Sequence, residues 1–366
     1  MSVESAGLTI RSVACRGVSV PLRFKLGTSA AVVSSVPILL IDLAPEEGPT
    51  GRTYLFCYTP SGARAVTGHL TEAVSLAVGQ RASPFDIAAM LSRRFALLGV
   101  TGTVRMALSA LDLALWDALG QALRLPVCSL LGSSPRGIPA YDSRGLGLMP
   151  PEALAGETEA LLARGLRAIK LRLGYPSLAA DIAAVRAVRK RLPDGVDLMV
   201  DYNQALTTTE AVLRGRALDG EGLCWLEEPI RHDDWGGNAR VAREVAIPLQ
   251  IGENFNGPEG MAEALARQAC HLVMPDVARI GGATGWMQAA SLAHAHGVRM
   301  SSHLMPEASA HLLAATPTAH WLEWVDWAEA FLAEPFEIAD GRVLIPDRPG
   351  FGMDWDEAKV ARLATI

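Results

Sequence analysis

The stretch VDLMVDYNQALTTTEAVLRGRALDGEGLCWLEEP, residues 196–229, contains one full repeat of the rhythm that organises this chain. An apolar run over 196–202 carries Asp201, a helical segment follows over 208–219, and a second apolar run over 223–228 carries Glu227. The same arrangement recurs downstream: Glu253 in LQIGEN, Asp276 in LVMPDV, His303 in RMSSHL and Glu323 in HWLEW. Successive members of this series lie 26, 26, 23, 27 and 20 residues apart, about the length of one strand plus one helix. Strand-like runs at 138–143, 167–173, 247–252, 271–276, 298–303 and 320–324 complete a set of eight. They alternate with amphipathic segments such as 151–164, 178–191, 259–269 and 284–296. Such alternation implies parallel βα units, and eight strands close a barrel whose active residues sit at the strands' C-terminal ends.

Upstream the rhythm differs. Residues 8–22 alternate apolar and polar, 36–44 and 51–58 read as two further strands, and the PEEGPTG turn between those two suits a hairpin. Helical spacing covers 84–98 and 103–123. Residues 1–130 therefore form a small α+β domain, 131–324 the barrel, and 325–366 a tail, rich in proline and glycine, that returns to the first domain. Between the first two strands, LGTSAAVVSSV (26–36) consists of small residues, which lose little entropy when a loop closes; it is expected to be a flap.

A net charge of −6 with no basic tract argues against nucleic acid as a partner. The five cysteines are scattered, with no CxxC pair, which suits a reducing compartment; without a signal-like start or a long apolar run, a cytoplasmic protein with no membrane segment is expected. The glycine clusters at 145–147 and 281–285 lack the context of a phosphate loop.

Asp201, Glu227 and Glu253 would converge above the barrel from three neighbouring strands. Three carboxylates that close repel one another unless a cation intervenes, and an oxygen-only set favours Mg²⁺ or Mn²⁺. Asp276 and His303 end adjacent strands, so the carboxylate can fix the tautomer of the imidazole and make it a general base. Lys170 and Arg172, two apart in AIKLRLG, face the barrel mouth from the opposite side. The lysine can bind a substrate carboxylate or act as a base. An arginine side chain titrates above ~12, so Arg172 is an anion clamp and a poor proton acceptor.

At these residues the chain resembles the enolase superfamily and, within it, the mandelate racemase group. The segments AIKLRLGYP, LMVDYNQ, WLEEP, IGENFNGPE, MPDVARIGGATGW and SSHLMPEASAHLLAATPTAHWLE carry the likeness, with TYLFCYTP and ALDLALWDALG in the first domain. The resemblance implies an α/β fold: an α+β capping domain on a modified (β/α)7β TIM-type barrel, with Mg²⁺ held by Asp201, Glu227 and Glu253. It also implies removal of the α-proton of a carboxylate through a stabilised ene-diolate. Lys170 would contact the substrate carboxylate, Glu323 would donate a hydrogen bond to its other oxygen, and the His303–Asp276 dyad would move the proton. Ser143 and Asn203 would line the site, and the chain would form a homo-oligomer.

The chain departs from the group at Arg172, where the group's racemases have lysine, and in the flap, flanked here by Arg23 and Lys25. A racemase acting on an α-hydroxy carboxylate is the first expectation. A dehydratase of acid sugars with His303 as sole base is the alternative, and an inactive carboxylate-binding relic is the third.

Overall fold

Alternating β-branched and polar residues at the start of the chain build a longer hairpin than the sequence suggests. The computed structural model describes residues 7–28 and 31–366. Strand β1 (Ile10–Gly27) pairs antiparallel with β2 (Val32–Pro45), which pairs with β3 (Gly51–Phe56). The ladder slips between Pro21 and Leu26, then resumes at Leu26↔Val33 and Gly27↔Val32. Most of the expected flap is thus strand rather than loop: a paired backbone satisfies its own hydrogen bonds at little cost in side-chain entropy. Ser29 and Ala30, within the expected flap, and residues 1–6 of the first domain lie outside the described residues.

Helix α1 (Pro60–Ala77) occupies a segment to which the sequence reading assigns no element. Thr59 caps it by accepting from Gly62 N, and Ala63, Val66, Leu70, Ala73, Val74 and Ala77 bury one face. Gly62 and Gly68 weaken its intrinsic propensity, which hides it from inspection. Next come α2 (Pro84–Arg94) and α3 (Gly102–Leu123). α3 is buried around most of its circumference, because it lies between the first sheet and the barrel. Gly51 makes this close packing possible: a Cβ there would meet Ala114 O at 1.9 Å. A short α4 (Val127–Leu130) leads to the barrel.

Eight parallel strands and the helices between them follow. In chain order they are β4 (Gly137–Asp142), α5 (Pro151–Leu162), β5 (Ala168–Arg172), α6 (Leu178–Arg189), β6 (Asp197–Asp201), α7 (Thr208–Leu218), β7 (Leu226–Glu227), α8 (Trp235–Glu244), β8 (Leu249–Ile251), α9 (Gly257–Ala266), β9 (Leu272–Val273), α10 (Val277–Ile280), α11 (Gly282–Ala295), β10 (Arg299–Met300), α12 (Pro306–Ala314) and β11 (Leu322–Trp324). α7 starts at a reciprocal capping box between Thr207 and Glu210. Hydrogen bonding runs in sequence order from β4 to β10; β11 pairs with β4, and a Met300↔Ala319 bridge completes the closure. This is the (β/α)7β barrel with an α+β cap. The register sets Arg172 beside Asp201 and Asp201 beside Glu227.

The tail, expected to return to the first domain, divides between the two sheets. β13 (Arg342–Leu344) pairs antiparallel with β4, and β12 (Ile338–Ala339) pairs antiparallel with β13, extending the barrel sheet. After α13 (Glu357–Val360), β14 (Ala364–Thr365) joins β1, and Trp355 Nε1 donates to Asp42 Oδ1 at 2.9 Å.

Candidate active site

The strand ends bring the carboxylates together. One oxygen from each of Asp201, Glu227 and Glu253 lies within 4.8 Å of the others, a spacing that one cation can bridge. The donor set contains only oxygen, so it fits a hard divalent ion such as Mg²⁺ or Mn²⁺ and not a thiolate- or imidazole-seeking metal. Asp201 and Glu227 are buried, and Glu253 is partly open.

Asp276 and His303 meet through a parallel bridge between their strand ends. His303 Nδ1 is 2.7 Å from Asp276 Oδ2, and its Nε2 lies 3.3 Å from Glu253 Oε2. Asp276 also caps α10 by accepting from Ala278 N, so the orienting carboxylate is itself fixed. Burial alone would lower the imidazole pKa, but the carboxylates of Glu253, Glu323 and Asp276 outweigh it and lift His303 to about 9.

Lys170 lies at the centre of the acidic cluster. Its Nζ is 2.5 Å from Glu227 Oε1, 2.8 Å from Glu323 Oε1 and 3.4 Å from Asp201 Oδ2. Burial would lower this ammonium, yet Glu227 and Glu323 raise it well above its ordinary value. Burial also pushes Glu227 up, against the pull of the same lysine. The two partners shift in the same direction because one ammonium cannot neutralise a cluster of carboxylates. The site therefore has a deficit of positive charge, which a divalent ion would remove.

Three of the expected site residues have partners within the protein. Glu323, expected to donate a hydrogen bond to a substrate oxygen, here accepts from Ser143 Oγ at 2.7 Å, from Leu304 N at 2.8 Å and from Lys170. Burial would raise it, but Lys170 and His303 hold it well below the usual carboxylate range, so it is an acceptor here. Asn203, read as lining the site, donates to Asp201 from both its backbone N (2.7 Å) and its Nδ2 (3.0 Å), orienting a candidate metal ligand. Arg172, read as an anion clamp, directs Nη1 to the carbonyls of Ser143 (3.0 Å) and Gly145 (2.7 Å) and Nη2 to Ser143 Oγ (2.8 Å). Among the described residues its buried Nε has no hydrogen-bond partner. Its fork is engaged by acceptors from the loop after β4, which sequence spacing within β5 could not show.

Several site residues escape a reading based on strand-end acids. Trp225 Nε1 donates to Glu227 Oε2 at 2.8 Å from below, leaving Oε1 toward Lys170. It sits two residues before Glu227, so strand alternation could have flagged it. Asn254 donates to Glu228 Oε2 (2.8 Å) and Glu253 Oε1 (3.2 Å), and Arg279 Nη1 donates to Asn254 Oδ1 at 2.6 Å. The Arg279 guanidinium lies 4.8 Å from the ring centre of Tyr58, which follows β3 in the cap. A cavity of about 460 Å³ between cap and barrel is lined by Tyr58, Thr103, His232, Asn254, Asn256 and Arg279, among others. No helix among the described residues is long and apolar enough to cross a membrane.

Comparison with known proteins agrees with this architecture. Residues 10–132 match the mandelate racemase/muconate lactonizing enzyme N-terminal domain, and residues 153–359 match the enolase C-terminal domain-like family. The chain is similar to an enolase structure from Bradyrhizobium complexed with magnesium and mandelic acid, at 40% identity and a TM-score of 0.94, covering 98% of this chain and 99% of that one. It is 33% identical over 350 residues to a 3,6-anhydro-α-L-galactonate cycloisomerase from Streptomyces coelicolor, covering 95% of this chain and 96% of that protein. It is 30% identical to an L-talarate/galactarate dehydratase from Salmonella typhimurium, covering 89% and 82% respectively. With both domains matched and the strand-end carboxylates assembled, the chain belongs to the enolase superfamily, in its mandelate racemase/muconate lactonizing enzyme group.

Proposed function

We propose that this protein removes the proton α to the carboxylate of an α-hydroxy acid with His303 as the single base, and that the result is elimination from a polyhydroxy acid rather than racemisation. One observation carries this reading: among the described residues, the two basic groups on the wall facing His303, Lys170 and Arg172, are both engaged as donors. The Nη groups of Arg172 donate to Ser143 and Gly145, and the Lys170 ammonium donates to carboxylates. Racemisation needs a base on each face of the α-carbon.

Asp201, Glu227 and Glu253 would hold Mg²⁺, with Mn²⁺ able to use the same donors; when bound, it would supply charge to stabilise the ene-diolate as it develops. Lys170 supplies a second positive charge beside the substrate carboxylate. Glu253, the carboxylate that does most to raise His303, would be neutralised on holding the cation, leaving the imidazole to take the α-proton on Nε2 while Asp276 holds Nδ1–H and stabilises the imidazolium. The same Nε2–H can then protonate a departing β-hydroxyl, so one residue serves both halves of a dehydration. The sugar-acid lyase and cycloisomerase activities in the names of the Salmonella and Streptomyces relatives support a polar substrate. Localisation in the cytoplasm and assembly into a homo-oligomer belong to the same proposal.

Racemisation is the second reading, favoured by the mandelic acid in the Bradyrhizobium structure. Incubation with Mg²⁺ in D2O separates the two. Each enantiomer of mandelate and a panel of acid sugars are followed by NMR. Water loss from a sugar acid, or α-exchange of one enantiomer without inversion, supports the single-base reading. Exchange and inversion of both mandelate enantiomers moves the assignment to racemase, and no exchange with any acid rejects proton abstraction.

A further inference from the structure

The loop after β4 connects two parts of the molecule that the chemistry alone does not relate. On its inner side it is held by Arg172. The arginine's backbone N donates to Leu146 O at 2.9 Å, and its guanidinium binds Ser143 O, Gly145 O and Ser143 Oγ. Leu146 takes a left-handed φ of 51° within this grip. On its outer side the loop meets the β1–β2 hairpin. Leu148 N donates to Gly27 O at 2.9 Å, and a Cβ on Gly147 would lie 2.4 Å from Gly27 N, so the two backbones touch with no room for a side chain. Arg144, in the same loop and bound to Asp142 and Asp326, places its guanidinium 5.5 Å from the Phe24 ring of β1.

We infer that Arg172 is a positioning residue that builds the seat on which the β1–β2 hairpin rests at the barrel mouth. A planar fork reaches two carbonyls and a hydroxyl at once; an ammonium is a point charge and holds no such plane. Arginine at this position therefore gives up proton transfer and fixes the loop against which the hairpin packs. Ser143 links the seat to the chemistry, since its hydroxyl also donates to Glu323. The effect on turnover rests on the proposed reaction, but the structural effect does not.

Trypsin reads the structural effect directly in substrate-free protein. Lys25 is exposed on β1 next to the pair Leu26↔Val33, which must open locally before cleavage. Arg172→Met is expected to speed cleavage after Lys25 by about tenfold, the loss expected when charged hydrogen bonds are removed, with cleavage after Lys190 at the end of α6 unchanged. Gly147→Ala leaves Arg172 intact but pushes on Gly27, and should produce the same selective acceleration. Arg172→Lys should fall between wild type and Arg172→Met, with KM rising more than kcat falls. Folding of each variant is checked by thermal unfolding. Lys25 cleavage at the wild-type rate in folded Arg172→Met overturns the inference. So does equal acceleration at Lys25 and Lys190, which would mean general loosening. If Arg172→Met does not fold, unchanged Lys25 cleavage in Arg172→Lys and Gly147→Ala together overturns it. Because cleavage is read without substrate, it stands or falls independently of the proton-exchange experiment.

Discussion

Two sets of buried carboxylates in this molecule are handled in opposite ways. At the seam between the cap, the barrel and the tail, Asp112, Asp117 and Glu307 are each held by uncharged donors. Asp112 accepts from Thr284 N (3.0 Å) and the Thr284 hydroxyl, Asp117 from Arg52 N (2.8 Å) and Phe351 N (2.7 Å), and Glu307 from Tyr54 Oη (2.6 Å). Burial lifts all three to about 7. At the strand ends, Asp201, Glu227 and Glu323 crowd around one lysine, and Glu253 closes in beside Asp201 and Glu227. The seam acids sit singly and can carry a proton without loss of their partners. The strand-end acids are packed too close to be satisfied by hydrogen bonds, and that crowding gives the site its demand for a cation. Isolation leaves a buried acid content with neutral partners; crowding leaves it in want of a cation.

The contrast is open to attack from both sides. The largest effect should come from His303→Asn, which keeps the shape but removes the base. Proton exchange measured by NMR in D2O should fall roughly 10²–10⁴-fold, with little change in thermal unfolding. Glu253→Gln should separate charge from stability. In the wild type, Mg²⁺ at a hundred times its Kd should raise the unfolding free energy by about 2.7 kcal/mol, and the variant should lose most of that gain in a calorimetric scan. A seam variant should do the reverse. Tyr54→Phe removes the donor to Glu307 and should cost about 1–3 kcal/mol in urea unfolding while proton exchange survives. If that variant loses activity instead, the division between the two sets fails.

The smallest effect is a slope. The folded pKa values of Asp112, Asp117 and Glu307 lie above the ordinary values of 3.8 and 4.5, so the folded state binds these protons more tightly than the unfolded state. Their stabilisation is complete below about pH 4 and is lost as pH rises through about 7. Across that window they pull the unfolding free energy downward with rising pH. Glu307→Gln keeps an acceptor for Tyr54 but cannot titrate, and should flatten this slope in urea unfolding between pH 5 and 8. An unchanged slope would remove Glu307 from the account.

Much of the site could be read from the chain because a βα repeat gives acids at the ends of successive strands a nearly constant spacing. Asp201, Glu227, Glu253, Asp276 and His303 were legible for that reason. Helix α1 was not, since Gly62 and Gly68 weaken the local signal and burial against α3 and β1 compensates. The hairpin that replaced a loop at 26–36 was not legible either. Small residues suit a loop as well as a strand, and pairing with a partner decides between them. Trp225 and Asn254 sit close enough to metal-ligating candidates to have been noticed. Arg279 and Tyr58 meet only across the cap–barrel boundary.

Sequence by itself determined which side chains rise at the barrel mouth, because strand period and unit length are local properties of the chain. It also determined that an arginine stands where proton transfer would want a lysine. Tertiary structure alone decided which partners that arginine and Glu323 find. The loop of Ser143–Leu148 and the ammonium of Lys170 reach those residues from other strands. The protonation and hydrogen bonding of a buried group are set by what surrounds it in space, not by its neighbours along the chain.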